Sequence, residues 1–260
     1  MKNFFNIIVI VLALAVAYTI YYGWMGDPDN FKDPEIKHEP KPGNIPGTIY
    51  TGGPLVGLLI SFVIIAITFS VERFLSINKA KGKGDPSKFI RKVISELQKG
   101  DLDAALAECD KQRGSVANVL RAAIQRFQEI EDDPAYAGEK KLSEVQRAID
   151  ESMNLETPLL EKNLVVLSTV ASIATLVGLL GTTIGMIRAF QALALSGTVS
   201  ATQLSIGISE ALYNTAGGLA GAIIAIVAYN FFTTKVDNFV YMIDEAILNI
   251  TQIFTVRIKK

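Results

Sequence analysis

Residues Leu164 to Phe190 read LVVLSTVASIATLVGLLGTTIGMIRAF. Taken in steps of three and four, as one face of a helix, they give a stripe of Ser168, Ala171, Thr175, Gly178, Thr182, Gly185 and Ala189. Every side chain on that stripe is small, and three of them carry a hydroxyl. The remainder is mostly Leu, Ile, Val and Met with no charge before Arg188, a run long enough to cross a bilayer. In lipid the large apolar groups face hydrocarbon and the small ones face other helices. Two readings of the stripe stand side by side. Close packing explains glycine and alanine, because small residues let backbones approach. A narrow polar path explains the three hydroxyls at heptad spacing, although Ser and Thr in a membrane helix can also bond their own backbone.

Residues 206–232, IGISEALYNTAGGLAGAIIAIVAYNFF, repeat the design and add a charge. Ala211, Thr215, Gly218, Ala222 and Ala225 form a small face that Asn214, Gly217 and Gly221 widen. A pore lining drawn from the two small faces comprises Ser168, Thr175, Gly178, Gly185, Asn214 and Gly218. Glu210 lies one turn into the apolar run. An acid there is costly unless paired, protonated or hydrated, which makes it a candidate functional group. The alternative is an interfacial residue that reaches headgroups or caps the helix start, where the dipole favours negative charge.

The segments GLLGTTIGMIRAF at Gly178 to Phe190 and GISEALYNTAGGLAGAIIAIVAYN at Gly207 to Asn230 resemble the ExbB, TolQ and MotA family of proton-channel subunits. The likeness extends to Gly53-Pro54, which opens an earlier hydrophobic helix ending in Glu72-Arg73, and so covers roughly residues 53 to 240. It implies an all-α, multi-pass protein of the inner (cytoplasmic) membrane, a homo-oligomer, pentameric in the family, ringing a central pore. The pore would hold the single transmembrane helices of an ExbD/TolR-like partner whose membrane aspartate carries the proton. This chain would supply hydroxyls and one acid, which map onto Thr182, Thr215 and Glu210. The machine energised would be TonB-dependent transport across the outer membrane, with a TonB-like protein as a further partner. A TolQ-like envelope role, a motility motor and a non-conducting structural or sensory assembly are the alternatives.

Composition is consistent with this class. Half of the 260 residues are hydrophobic, the net charge is -1 and the mean hydropathy is +0.32. The apolar residues come in blocks, the pattern of a chain embedded in a lipid bilayer. The single cysteine, Cys109, excludes an internal disulfide and reads as a buried structural thiol. Phe4 to Tyr22 is an apolar run after one lysine, suiting an uncleaved membrane helix or a signal sequence. Aromatic residues up to Trp24 favour the helix, so residues 1–24 are read as an extra span that departs from the family core. Residues 25–50 carry five prolines among mixed charges and predict an extended periplasmic linker without a packed core. His38, the only histidine, reads there as a solvated side chain.

Residues 51–75 make the next span, with Leu58, Leu59, Ile60, Phe62 and Val63 leaving almost no small face and predicting a lipid-facing position. The basic residues Arg73, Lys79, Lys81 and Lys83 place its end in the cytoplasm. Residues 76–163 read as a cytoplasmic helical domain, with Asp85-Pro86, Gly100 and Gly114 as its punctuation. Its last helix is expected to run from about Glu139 into the 164–190 span, with Pro158 the only strong breaker. Residues 191–205 form a short periplasmic loop, 206–232 the last span, and 233–260 an amphipathic cytoplasmic tail. Interleaved acids and bases argue against a nucleic-acid surface. No phosphate loop, HExxH or CxxC appears, and the reading assigns no cofactor, metal or catalytic residue.

Overall fold

The computed structural model describes residues 2–33, 39–136, 138–196 and 201–258. The expectations for His38, for residues 197–200 of the loop and for Lys259 and Lys260 lie outside the described residues. The elements are α1 (Lys2–Thr19), running into a π-helical turn (Ile20–Met25), α2 (Ile45–Tyr50), α3 (Leu55–Ala80), α4 (Pro86–Lys99), α5 (Leu102–Gln112), α6 (Ser115–Ile130), α7 (Glu139–Glu161), α8 (Leu164–Ser196) and α9 (Ala201–Ile258). Among the described residues there is no β-strand, only an isolated bridge between Phe31 and Pro40. Four helical stretches are long and apolar enough to cross a membrane: Asn6–Met25, Leu55–Ala80, Glu139–Ala194 and Leu204–Ile258. The protein is an all-α, multi-pass membrane protein.

The chain forms two compact units, Met1–Val71 with Asn163–Asn230 and Glu72–Lys162 with Phe231–Lys260. In the first, the membrane unit, α3 packs on α1 and α9 through matched notches. Tyr18 of α1 fills the space above Gly57, and Leu59 and Val63 of α3 lie against Gly217 and Gly221 of α9. Leu59 is therefore only 3% exposed, and its expected lipid-facing position is corrected. The missing small face on α3 is supplied by glycines on its neighbour.

Residues 25–50 also depart from the expected linker. Phe31 is buried, and the Tyr50 ring stacks on Tyr21 at 4.6 Å while the Tyr21 hydroxyl donates to the Tyr50 carbonyl at 3.1 Å. Asn30 donates to the carbonyls of Trp24 and Met25, closing the end of the first helix, and Asn44 accepts from Gly47 N–H to cap α2. Aromatic burial and asparagine caps outweigh the proline count, so the described part of this segment is packed.

A second correction concerns the long helix entering 164–190. Pro158 is accommodated within α7, and the interruption comes at Lys162 and Asn163, where Asn163 takes a φ of 65°. Asparagine tolerates this left-handed conformation better than most residues. Its side chain accepts from Asn6 of α1 at 2.9 Å.

The polar unit packs in the manner of a soluble helical domain. Asp85 and Asp101 cap α4 and α5 by accepting from Ser87 and Ala104 N–H, and Gly100, at φ 87°, ends α4. Phe89, Val93 and Leu97 of α4 and Val119, Ala123 and Phe127 of α6 are buried, as are Ile243, Ile250 and Phe254 of α9. Phe127 and Phe254 stack at 4.1 Å with nearly parallel rings. The expected tail is thus the continuation of α9, with its apolar face inside this core. Arg73, 1% exposed, donates to both Glu72 carboxylate oxygens and to the Leu160 carbonyl, tying α3 to the end of α7.

Candidate functional site

Helices α8 and α9 meet with almost nothing between their backbones. A Cβ placed on Gly218 would lie 2.6 Å from the Ala174 carbonyl oxygen and 2.8 Å from Gly178 Cα. One on Gly185 would lie 2.8 Å from Ala211 N, and one on Gly207 2.8 Å from the Gly185 carbonyl. Gly181 seats the Asn214 side chain in the same way. The stripe read from the sequence therefore divides in two. Gly178, Gly185 and Ala189 are buried in the seam, while Ser168 and Thr182 are half-buried beside it and Thr175 is exposed.

The hydroxyls all turn back to their own helices. Ser168 donates to the Val165 carbonyl, Thr175 to Ala171, Thr182 to Leu179 at 2.6 Å and Thr215 to Ala211 at 3.3 Å. Such bonds satisfy a hydroxyl in an apolar setting, and each oxygen keeps acceptor capacity for a further donor. Thr182 stands one turn from Gly178 and from Gly185. Thr215 stands one turn from Ala211 and from Gly218. Both hydroxyls consequently flank the seam, each half-buried.

Glu210 and Asn214, one turn apart on α9, form a second cluster. Glu210 is 8% exposed and accepts from the Arg188 guanidinium of α8. On another side it is closed by Gly53, whose φ of 79° suits glycine and where a Cβ would come within 2.6 Å of Glu210 Oε1. Asn214 is fully buried. Its amide donates to the Gly52 carbonyl at 2.7 Å and to the Glu210 carbonyl at 3.0 Å, while its Oδ1 has no hydrogen-bond partner among the described residues. The turn before α3, the end of α8 and the start of α9 are thereby joined at one place.

The structure brings Gly178, Gly185, Asn214 and Gly218 into one contact but separates Glu210 from Thr215. Five residues along a helix turn the direction through about 140°, so the acid faces Arg188 and the Gly53 turn. In the sequence Arg188 stands out only as the charge that ends the apolar run of α8. The available signal was its sign, opposite to that of Glu210 on the companion helix. Among the described residues no group of three or more His, Cys, Asp or Glu side chains is placed to hold a metal ion.

Comparison with known proteins locates this seam within a family. The MotA/TolQ/ExbB proton channel family matches over residues 111–245, taking in all of α8 and all of the α9 seam. The Tol-Pal system protein TolQ of Haemophilus influenzae is 31% identical over 189 residues, 70% of this chain and 79% of that protein. TolQ of Pseudomonas aeruginosa is 34% identical over 120 residues, 46% of this chain and 52% of its own length, so the match spans about half of it. The biopolymer transport protein ExbB of Helicobacter pylori is 41% identical over 87 residues, 34% of this chain and 58% of that protein.

Proposed function

The chain belongs to the MotA/TolQ/ExbB proton channel family, and on that premise we propose that it is the scaffold subunit of an inner-membrane motor driven by the proton-motive force. Several copies ring a pore that holds the single membrane helices of an ExbD/TolR-like partner, and proton flow through the pair energises TonB-dependent transport across the outer membrane. The observation that carries the reading is the α8–α9 seam, where backbone contact leaves the Thr182 and Thr215 hydroxyls half-buried at its flanks. A hydroxyl can donate to a carboxylate and accept from its protonated form, so a partner's aspartate is tolerated there in both states. Residues 164–232 contain no aspartate, so the carrier is assigned to the partner. A proton crossing 100 mV releases about 2.3 kcal/mol, enough to bias the motion of one helix set within another.

Two further readings each have an observation in their favour. A TolQ-like role in envelope maintenance is supported by a relative named TolQ that matches over 70% of this chain and 79% of its own length. A non-conducting assembly is supported by the bonds from each stripe hydroxyl to its own helix.

The test is proton flux in vesicles containing the full chain and a single-span protein with a membrane aspartate. Thr182→Val and Thr215→Val each lower flux about tenfold or more, the scale of one lost hydrogen bond at the upper end of its range, with the partner still co-purifying. Leu59 is unsuitable as a lipid-side control because it is buried, whereas Leu176→Val, on an exposed side chain, leaves flux near the parent value. Normal flux in the double threonine variant rules out the hydroxyl route.

A further inference from the structure

The seam leaves unexplained why a buried acid and a half-exposed arginine stand at one end of two helices otherwise held by small apolar residues. Packing does not require them, since Gly185, Gly207 and Ala211 already bring the backbones together there. The Glu210 carboxylate is enclosed, with the Gly53 turn against one side and the Arg188 guanidinium of α8 on another. Arg188, by contrast, keeps 54% of its side chain exposed. One turn further along α9, Asn214 repeats the connection by holding the Gly52 carbonyl. Glu210 thus reaches the two elements that flank α9 at this end, and it points away from the Thr215 face.

We propose that Arg188 is the positioning residue of Glu210, and that the pair is a fixed clamp that sets the register of α8 against α9 and seats the Gly52-Gly53-Pro54 turn. Glu210 in this chain is an anchor of the proton path and not one of its carriers. Close glycine contacts define how near two helices come but resist sliding weakly. A charge pair between facing helices adds a specific alignment, because removing Arg188 takes the guanidinium away from an enclosed carboxylate. The alignment matters at the two threonines, each of which must face the same partner group across the seam. This inference rests on the proton-channel reading for its functional consequence, while the clamp itself is a property of the chain alone.

The experiment therefore has two arms. In the first, unfolding of the detergent-solubilised full chain is compared for the parent, Arg188→Gln, Glu210→Gln and the double variant. The clamp requires the second substitution to cost much less once the first is made, with a coupling of roughly tenfold or more in the folding equilibrium, within the range for residues in contact. Additive effects overturn it. In the second arm, proton flux is measured with the single-span partner for Arg188→Gln, Arg188→Lys and the exchange Arg188→Glu/Glu210→Arg. Flux falls in Arg188→Gln and is retained in Arg188→Lys, and recovery in the exchanged chain further supports the clamp. Normal flux in Arg188→Gln alongside lost flux in Glu210→Gln overturns the positioning role and returns Glu210 to proton carriage. A parent chain that moves no protons overturns the proton-channel reading, and the unfolding arm then decides the clamp by itself.

Discussion

The membrane unit and the polar unit solve helix packing in opposite ways. Along α8 and α9 the contact is made by what is missing, since Gly178, Gly185, Gly207 and Gly218 put backbone against backbone. In the polar unit it is made by large side chains, with Phe127 on Phe254 and Phe89, Val93 and Leu97 buried beneath α4. The contrast follows from solvent. Lipid tails are as apolar as leucine, so burying leucine between membrane helices gains little and close van der Waals approach supplies the attraction. Water rewards burial by about 25 cal/mol per Å² of apolar surface, so the polar unit invests in bulk and closes its helix ends with Asp85, Asp101 and Gly100.

The largest expected effect breaks the seam. Gly218→Val places a branched side chain where the nearest atoms are the Ala174 carbonyl and the Gly178 backbone, none of which can rotate aside. Overpacking of this kind costs about 1–3 kcal/mol when side chains can move and more when they cannot, so the cost is set at the top of that range or beyond. Unfolding in detergent measures it, and a cost below about 1 kcal/mol would show that the helices separate without penalty. Ala216→Val, an enlargement on an exposed face of α9, serves as the comparison.

Of comparable size is truncation in the other unit. Phe127→Ala removes the ring stacked on Phe254 and lying beneath the Arg257 guanidinium, from a site with almost no exposure. A loss of about 3–5 kcal/mol is expected for a buried phenylalanine. Denaturant unfolding, followed by the helical signal of the polar unit, checks the figure. Little loss would mean that the core collapses around the gap.

These two sites differ in how far the sequence disclosed them. The small stripe from Ser168 to Ala189 and the face from Ala211 to Ala225 are visible because helical period and residue size are local properties. Asp85-Pro86, Gly100 and Gly114 are visible because caps and breakers act within a few residues. Contacts that depend on a second element were hidden. Leu59 is apolar in a row of apolar residues, and nothing in α3 indicates that Gly217 of α9 opens a notch for it. Tyr50 stacking on Tyr21 across a proline-rich segment is equally non-local, and so is the pairing of Arg188 with Glu210. The break at Asn163 was missed for a subtler reason. Proline marks a helix end more strongly than asparagine does, yet the long helix absorbs Pro158 and stops where a left-handed residue is tolerated.

The smallest expected effect concerns Cys109, which sits within the bulky packing of the polar unit. Burial pushes its thiol up from 9.0 to about 12, with the neighbouring Asp110 charge adding to the rise. A thiol raised in the folded state contributes stability that is fully present below its unfolded value. That contribution is lost as pH climbs from about 9 toward 12, because the unfolded chain then ionises while the folded one resists. Each pH unit inside this window lowers stability by up to about 1.4 kcal/mol, and below pH 8 the slope from this group vanishes. Unfolding of the full chain between pH 8 and 10.5, compared with Cys109→Ala, isolates the contribution, since this is the only cysteine in the chain. Alkylation gives an independent reading, because a thiol kept neutral and enclosed reacts only when α5 opens. Phe127→Ala, which loosens the same unit, accelerates that reaction. Equal alkylation rates in the parent and in Phe127→Ala would show that the thiol is reached without opening the core, and that tight packing of this region by large side chains has been overstated.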